Sequence, residues 1–154
     1  MIAEVHTRSW QSAYEHVFGA ERLAGIDVSR RRAMWERALA DPSRDTFVYE
    51  DEGAVVAFVG SFPSRDSDAD GELGEIYALP EAWGKGVGHA LMASCLGALR
   101  ERGYVDAILW VLADNPRARA FYEREGWALD GGEKTDQFLG VDVRELRYRR
   151  AMRD

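Results

Sequence analysis

The chain has 154 residues, 46% of them hydrophobic and 31% charged, which is enough for one domain with a true core. A net charge of −7, with arginines interspersed among carboxylates, excludes general binding to nucleic-acid phosphates. The opening stretch MIAEVHTRSW carries Glu4 and Arg8 where a secretion signal needs an apolar run, and no later stretch approaches the ~20 apolar residues of a membrane span. Cys95 is the one cysteine, which excludes an internal disulfide and a cysteine-based metal cluster. We therefore expect a single cytoplasmic domain over residues 1–154, with no membrane partner.

The N-terminal quarter reads as helical. AEVHTRSWQSAYEHVF places Val5, Trp10, Tyr14 and Val17 or Phe18 near one helical face, and DVSRRRAMWERALADP reads as a helix capped by Ser29 that ends before Pro42. TFVYED and AVVAFVGSF flank the turn Asp51-Glu52-Gly53 and predict an antiparallel hairpin. After the polar loop PSRDSDADG come a third strand, ELGEIYAL, a helix from Gly86 to Arg102 stopped by Gly103, and a fourth strand, DAILWVL. A helix from Asn115 to Glu125 stopped by Gly126, and strands near WALDGGE and VDVRELRYR, complete the chain. Strands that alternate with helices in the middle and pair as hairpins at both ends predict a mixed α/β sheet.

Between the third strand and the following helix lies PEAWGKGVGHALM, with Gly84, Gly86 and Gly88 at alternate positions around Lys85. Glycines at a strand-to-helix junction let a ligand rest on the backbone, and the unpaired N–H groups of a first helical turn attract an anion. Lys85 adds a mobile positive charge, and His89 could donate a hydrogen bond at the rim. A plain turn would not need three alternating glycines, so the loop reads as a phosphate cradle. It lacks the Gly-Lys-Ser/Thr ending of a Walker loop. It also lacks the G-x-G-x-x-G spacing and distant acidic residue of a dinucleotide fold.

The stretch Trp83-Gly84-Lys85-Gly86-Val87-Gly88 after EIYALPEA resembles the Q/R-x-x-G-x-G/A pyrophosphate loop of the GNAT superfamily of acyl-CoA N-acyltransferases, with Trp83 departing from its first position. LWVLADNPRARAFYEREGW is similar to the family's fifth strand and fourth helix, with Asn115 and Tyr122 seven residues apart as in its pattern. VHTRSWQSAY and GVDVRELRYRR resemble segments of uncharacterised bacterial members, so the likeness covers nearly the whole chain.

The resemblance implies a mostly antiparallel twisted sheet, splayed between the family's fourth and fifth strands and flanked by helices. Such proteins usually open with a strand before the first helix, and here Met1 falls almost at that helix, so the edge strand is either missing or lost in the assignment of the start site. It further implies acetyl-CoA as co-substrate, with no metal. Pantetheine would pair with the backbone of Ile76, Tyr77 and Ala78, and the Ala78 N–H would polarise the thioester. The diphosphate would rest on the N–H groups from Trp83 to His89, with Asn115 on backbone or pantetheine.

Tyr122 is the expected general acid, since a phenol of pKa ~10 stays protonated at neutral pH and can protonate a departing thiolate. The expected base is Glu72, at the start of the family's fourth strand, with Glu75 as rival. Three residues apart on a regular strand, the two would face opposite sides. The glutamate that some N-terminal acetylating members carry on the fifth strand is replaced by Trp110.

The loop Asp66-Ser67-Asp68-Ala69-Asp70-Gly71 opens like a calcium loop, but its twelfth position is Tyr77, not a bidentate Glu. Its carboxylates either draw a cationic amine toward the cleft or are simply solvated. His6, Trp10 and Tyr14 could line the acceptor pocket, and Cys95 reads as a packed, inert thiol.

The sequence thus points to an N-acetyltransferase acting on an amine, a small molecule first and a protein or peptide amine second, through a ternary complex. A non-catalytic acyl-CoA-binding or regulatory domain is the alternative, with a nucleotide-binding protein third. GVDVRELRYRR offers an edge strand through which a homodimer could form.

Overall fold

The structure, a computed structural model, describes residues 1–153. Helices α1 (Ile2–Ala13), α2 (Glu15–Phe18), α3 (Ala20–Ala24) and α4 (Val28–Ala40) come first, then strands β1 (Asp45–Asp51), β2 (Ala54–Pro63) and β3 (Gly71–Ala78). Helix α5 (Val87–Glu101), strand β4 (Asp106–Leu112), helix α6 (Pro116–Arg124) and strands β5 (Ala128–Phe138) and β6 (Val141–Ala151) follow. Among these described residues, no helix is long and apolar enough to cross a membrane.

The helical N-terminal quarter is present but more broken than its periodicity suggests. Tyr14 leaves the helical region at φ −119°, ψ 15°, so the expected helix over residues 3–18 becomes two, and Gly19 at φ 80° turns the chain again into a third, short one beyond it. These breaks let Trp10, Tyr14, Phe18 and Leu23 converge into one cluster, with Trp10 stacked on Phe18 at 5.5 Å. The cap of α4 is Asp27, whose carboxylate accepts the Arg30 N–H at 3.2 Å, so Ser29 lies inside the helix. The β1–β2 turn forms as expected, with Glu52 and Gly53 both at positive φ.

The six strands form one sheet in the order β1-β2-β3-β4-β6-β5, antiparallel except for β3 beside β4. That parallel pair is held only at Gly71–Ala107 and Glu72–Ile108, after which the two strands separate. Helix α5 and the inner faces of β2, β3, β4 and β6 bury the larger core, in which Met92, Cys95, Leu99, Leu109 and Tyr148 are essentially inaccessible. Helices α1 and α4 cover the other face over Phe58 and Leu79. The core thus clamps the root of the splay and leaves its mouth open. Strand β6 is not an edge: it lies between β4 and β5, because β5 folds back outside it as a hairpin partner. The expected dimer edge is therefore covered, and the sheet ends instead at β1 and β5.

Candidate active site

The separation of β3 from β4 opens a cleft of about 1630 Å³ that runs through the sheet, more than one small ligand needs. One side is bounded by the glycine loop, α5 and α6, the other by α1, α4 and the outer ends of β3, β5 and β6.

The phosphate loop is held by its side chains and left open along its backbone. Val87 is buried in the core, and the Trp83 indole donates to the Ala78 carbonyl at 2.9 Å. Gly84 and Gly86 both adopt φ +76°, and a Cβ on either would meet nothing within 4 Å. Gly88 serves packing instead, since a Cβ there would lie 3.1 Å from the Phe121 ring, and its absence lets α6 approach α5. The Trp83 N–H is already given to Pro80 and the Ala90 N–H to Gly86. Among the described residues, the six consecutive N–H groups of Gly84, Lys85, Gly86, Val87, Gly88 and His89 have no acceptor. Such a run matches an anion with several oxygens. It corrects the expected cradle by removing Trp83.

The His89 ring is not free at the rim. Its Nδ1 meets the Glu125 carboxylate at 2.7 Å, tying α5 to α6. Trp83, where the family pattern has Gln or Arg, carries the Arg117 guanidinium 3.5 Å from its ring centroid, so α6 delivers a cation to the start of the loop. Sequence reasoning passes over Arg117 because the contact joins residues far apart in the chain.

Backbone alternation refines the pantetheine expectation. The Leu79 N–H bonds the Val56 carbonyl, and the register pairs Ala57 with Ala78 and Phe58 with Tyr77. Hydrogen-bonded and non-hydrogen-bonded pairs alternate in an antiparallel ladder, so Tyr77 bonds back to β2 while Ile76 and Ala78 turn their N–H and C=O groups into the gap. The Ala78 carbonyl takes Trp83, which leaves the Ala78 N–H. Tyr77 contributes its ring instead, stacked on His6 at 5.2 Å.

Tyr122 is buried at 7% exposure, yet its hydroxyl has no hydrogen-bond partner among the described residues and lines the cleft. Burial, then the nearby Tyr14 and Cys95, pushes its phenol well above the usual value, so it holds its proton throughout the neutral range. Asn115 caps α6 by accepting the Ala118 N–H at 3.1 Å, and its amide donates to the Tyr14 hydroxyl at 3.2 Å. It therefore fixes α6 and α1 across the cleft mouth. Cys95 is packed at 1% exposure with its thiol pushed up to about 12 by burial, as an inert thiol should be.

The two candidate bases do not face opposite sides. A β-bulge inserts Gly74 where β2 passes from Gly60 to Ser61, and the extra residue turns Glu72 and Glu75 onto the same face. Phe62 lies between them, its ring filling the space a Gly74 Cβ would take. Glu72, at 1% exposure, accepts from the Arg65 N–H at 3.1 Å and ion-pairs with the Arg65 guanidinium at 2.5 Å. Glu75 is ion-paired to Arg44, and both guanidiniums lie over Phe62. Each carboxylate thus already has a guanidinium bonded to it along the acceptor wall. An interior strand glycine is a bulge signal, and Gly74 carries it.

The acidic loop is neither free nor merely solvated. Asp66 ion-pairs with Arg147 and accepts from the Trp110 indole, both at 3.1 Å, and Asp68 pairs with Arg147 and Arg149. Its charge is neutralised locally, which removes its expected role in steering an amine.

One buried carboxylate in the cleft is left over among the described residues. Glu145 on β6 is 8% exposed, and its Oε1 is buried with no hydrogen-bond partner among the described residues. Burial raises its carboxyl above the usual range, with Asp136 and Glu72 adding to that and Lys134 and Arg65 opposing it. It is unmarked in sequence because its isolation depends on four separate elements.

Splayed strands around an amide-lined loop, with a tyrosine at the gap, define an acyl-CoA-dependent transferase fold. The chain belongs to the acetyltransferase (GNAT) family, whose profile matches residues 4–127, and is an acyl-CoA-dependent N-acetyltransferase. It is 33% identical over 151 residues to the uncharacterised N-acetyltransferase YuaI of Bacillus subtilis (strain 168), covering 94% of this chain and 83% of that protein. A mycothiol acetyltransferase of Beutenbergia cavernae is 40% identical over 129 residues, spanning 80% of this chain but 42% of its own length. The PaiA N-acetyltransferase of Thermoplasma acidophilum, solved with coenzyme A, has the same fold, with TM-score 0.75 at 17% identity over 97% of this chain and 90% of that one.

Proposed function

We propose that the protein transfers the acetyl group of acetyl-CoA directly to a primary amine bound in the same cleft, a small molecule in preference to a protein amine. The observation that carries this reading is the run of six unpartnered amides from Gly84 to His89 opening onto the splayed strands. When bound, acetyl-CoA supplies an acyl group already activated as a thioester.

The chain's own groups divide the remaining work. The amides and Arg117 neutralise the diphosphate, the gap-facing groups of Ile76 and Ala78 align the pantetheine as an added strand, and the Ala78 N–H polarises the carbonyl. Tyr122, protonated and without an internal partner, gives its proton to the departing sulfur. Arg65 and Arg44 are held in place by Glu72 and Glu75 along the acceptor wall. Amine and thioester meet in one ternary complex, with no covalent enzyme intermediate, since the buried Cys95 thiol is unsuited to attack.

Calorimetry with acetyl-CoA and a thiol-release assay with an amine panel test this reading. Tyr122→Phe is expected to bind acetyl-CoA as wild type does and to lose about 10²-fold in kcat, at the low end for general acid catalysis. Tight acetyl-CoA binding with no turnover on any amine would favour the non-catalytic alternative. An absence of acetyl-CoA binding would refute both.

A further inference from the structure

The acceptor wall contains three glutamates that differ in one respect. Glu75 and Glu145 each have a buried oxygen without a hydrogen bond, but Glu72 and Glu75 are matched by Arg65 and Arg44, whereas Glu145 has no cation bonded to it among the described residues. An unpaired buried carboxylate is costly, and a fold that keeps one facing a cleft gains from it when a cationic group arrives. On the same face of β6, Arg147 is committed to Asp66, Asp68 and Asp130, so the side-chain pattern of the strand cannot supply the missing charge.

The surroundings limit what that cation can be attached to. Trp10, Tyr14, Trp110 and Phe138 present rings along the wall that Glu145 shares, an apolar lining for the body of a ligand. The remaining polar lining is mixed: Arg44 and Arg65 are neutralised by Glu75 and Glu72, Asp136 adds a negative charge near Glu145, and Lys134, opposite Glu145 in the strand register, lies with its ammonium 4.3 Å from the Trp110 ring centroid. A second ammonium on the same ligand would face Lys134, which has no carboxylate bonded to it among the described residues, and repulsion of that kind selects as effectively as attraction.

We propose that Glu145 seats and deprotonates the acceptor amine, and that the acceptor is a small primary amine with one positive charge on an apolar or aromatic body. This deepens, and rests on, the acetyltransferase reading of the cleft. One ammonium proton passes to the Glu145 carboxylate, and a second leaves nitrogen to water as the C–N bond forms and the C–S bond breaks. The sulfur takes the Tyr122 proton, water reprotonates the phenol and accepts the proton held by Glu145, and each turnover releases one proton overall. Burial raises the Glu145 carboxyl, which favours taking a proton, and no cation is bonded to it, whereas Arg65 already occupies Glu72, which is why Glu145 replaces Glu72 in this step.

The test uses 2-phenylethylamine, spermidine and 2-phenylethanol with the full chain. Wild type is expected to acetylate 2-phenylethylamine with kcat/KM at least tenfold above that for spermidine. Glu145→Gln is expected to lower kcat/KM for 2-phenylethylamine about 100-fold, with acetyl-CoA affinity by calorimetry unchanged within twofold. In wild type, 2-phenylethanol is expected to compete at least tenfold more weakly than the amine binds, a comparison that does not depend on the variant folding. Equal competition by the alcohol, preference for spermidine, or an unmoved kcat/KM in a folded Glu145→Gln would each overturn the proposal while leaving the family chemistry intact. Failure of acetyl-CoA to bind wild type would instead overturn the reading beneath it.

Discussion

The two walls of the cleft are made of different material. The donor wall is backbone: a loop of free amides pinned by Val87 and Trp83, with an adjacent strand that turns the Ile76 groups and the Ala78 N–H into the gap. The acceptor wall is side chains from α1, α4, β3, β5 and β6, arranged around a bulge and three glutamates in unequal settings. A wall of backbone recognises what every acyl-CoA shares, whereas a wall of side chains can change its acceptor through a few substitutions. One added methyl group in each wall separates the two.

On the acceptor wall, Gly74→Ala would drive a Cβ into the Phe62 ring, with no relief from backbone freedom, so the ring that carries Arg44 and Arg65 must move. We expect a destabilisation of about 3 kcal/mol in urea denaturation, at the upper end for overpacking. Amine KM should rise at least tenfold while the acetyl-CoA Kd stays within twofold. An unchanged amine KM in a variant that folds would show that the bulge does not shape the acceptor site.

On the donor wall, Gly86→Ala adds its methyl to open space, so its cost is conformational, about 1–2 kcal/mol for an L-residue held in the left-handed region. The loop relaxes away from φ +76°, turning amides out of the cradle, and the acetyl-CoA Kd should weaken about tenfold in calorimetry while the amine KM at saturating acetyl-CoA holds. If Gly86→Ala and Gly74→Ala each moved both constants equally, the division of the cleft into two walls would be wrong.

This division also explains which parts of the site are legible in the sequence. The glycine loop, the β3–β4 splay and the Tyr122 position are local or follow from a family pattern, and backbone sites leave short, contiguous marks. Glu145 and Arg117 owe their settings to contacts across dozens of residues, and a carboxylate lacking a partner looks in sequence like any other. The helix breaks at Tyr14 and Gly19 are masked because apolar spacing continues through them. Strict alternation sends Glu72 and Glu75 to opposite faces, and it fails because Gly74 interrupts it. The inward position of β6 is hidden because a closing hairpin can add on either side of the preceding strand.

The walls should also differ toward acid. His6, on the acceptor side, accepts from the Trp35 indole through Nδ1 at 3.3 Å, and burial, with Arg31 adding to it, lowers its pKa to about 3. A buried imidazole that stays neutral while the unfolded chain protonates near the usual 6.5 contributes stability that is complete above pH 6.5. That stability is lost as pH falls from there toward the folded value, by about 1 kcal/mol at pH 6 and ~1.4 kcal/mol for each further unit. Glu145 acts with the opposite sign: its raised carboxyl is a cost above its folded pKa that acid relieves, and because wild type and a His6 variant both carry it, it cancels in their comparison. The His6→Asn variant, whose amide oxygen can take the Trp35 N–H in place of Nδ1, should therefore lose less stability than wild type between about pH 7.5 and 5.5 in urea denaturation followed by tryptophan fluorescence. Parallel curves for the two proteins would mean that His6 is hydrated and titrates normally. In that case the aromatic wall around it is wetter than its packing implies, and the contrast with the solvent-open donor loop would shrink accordingly.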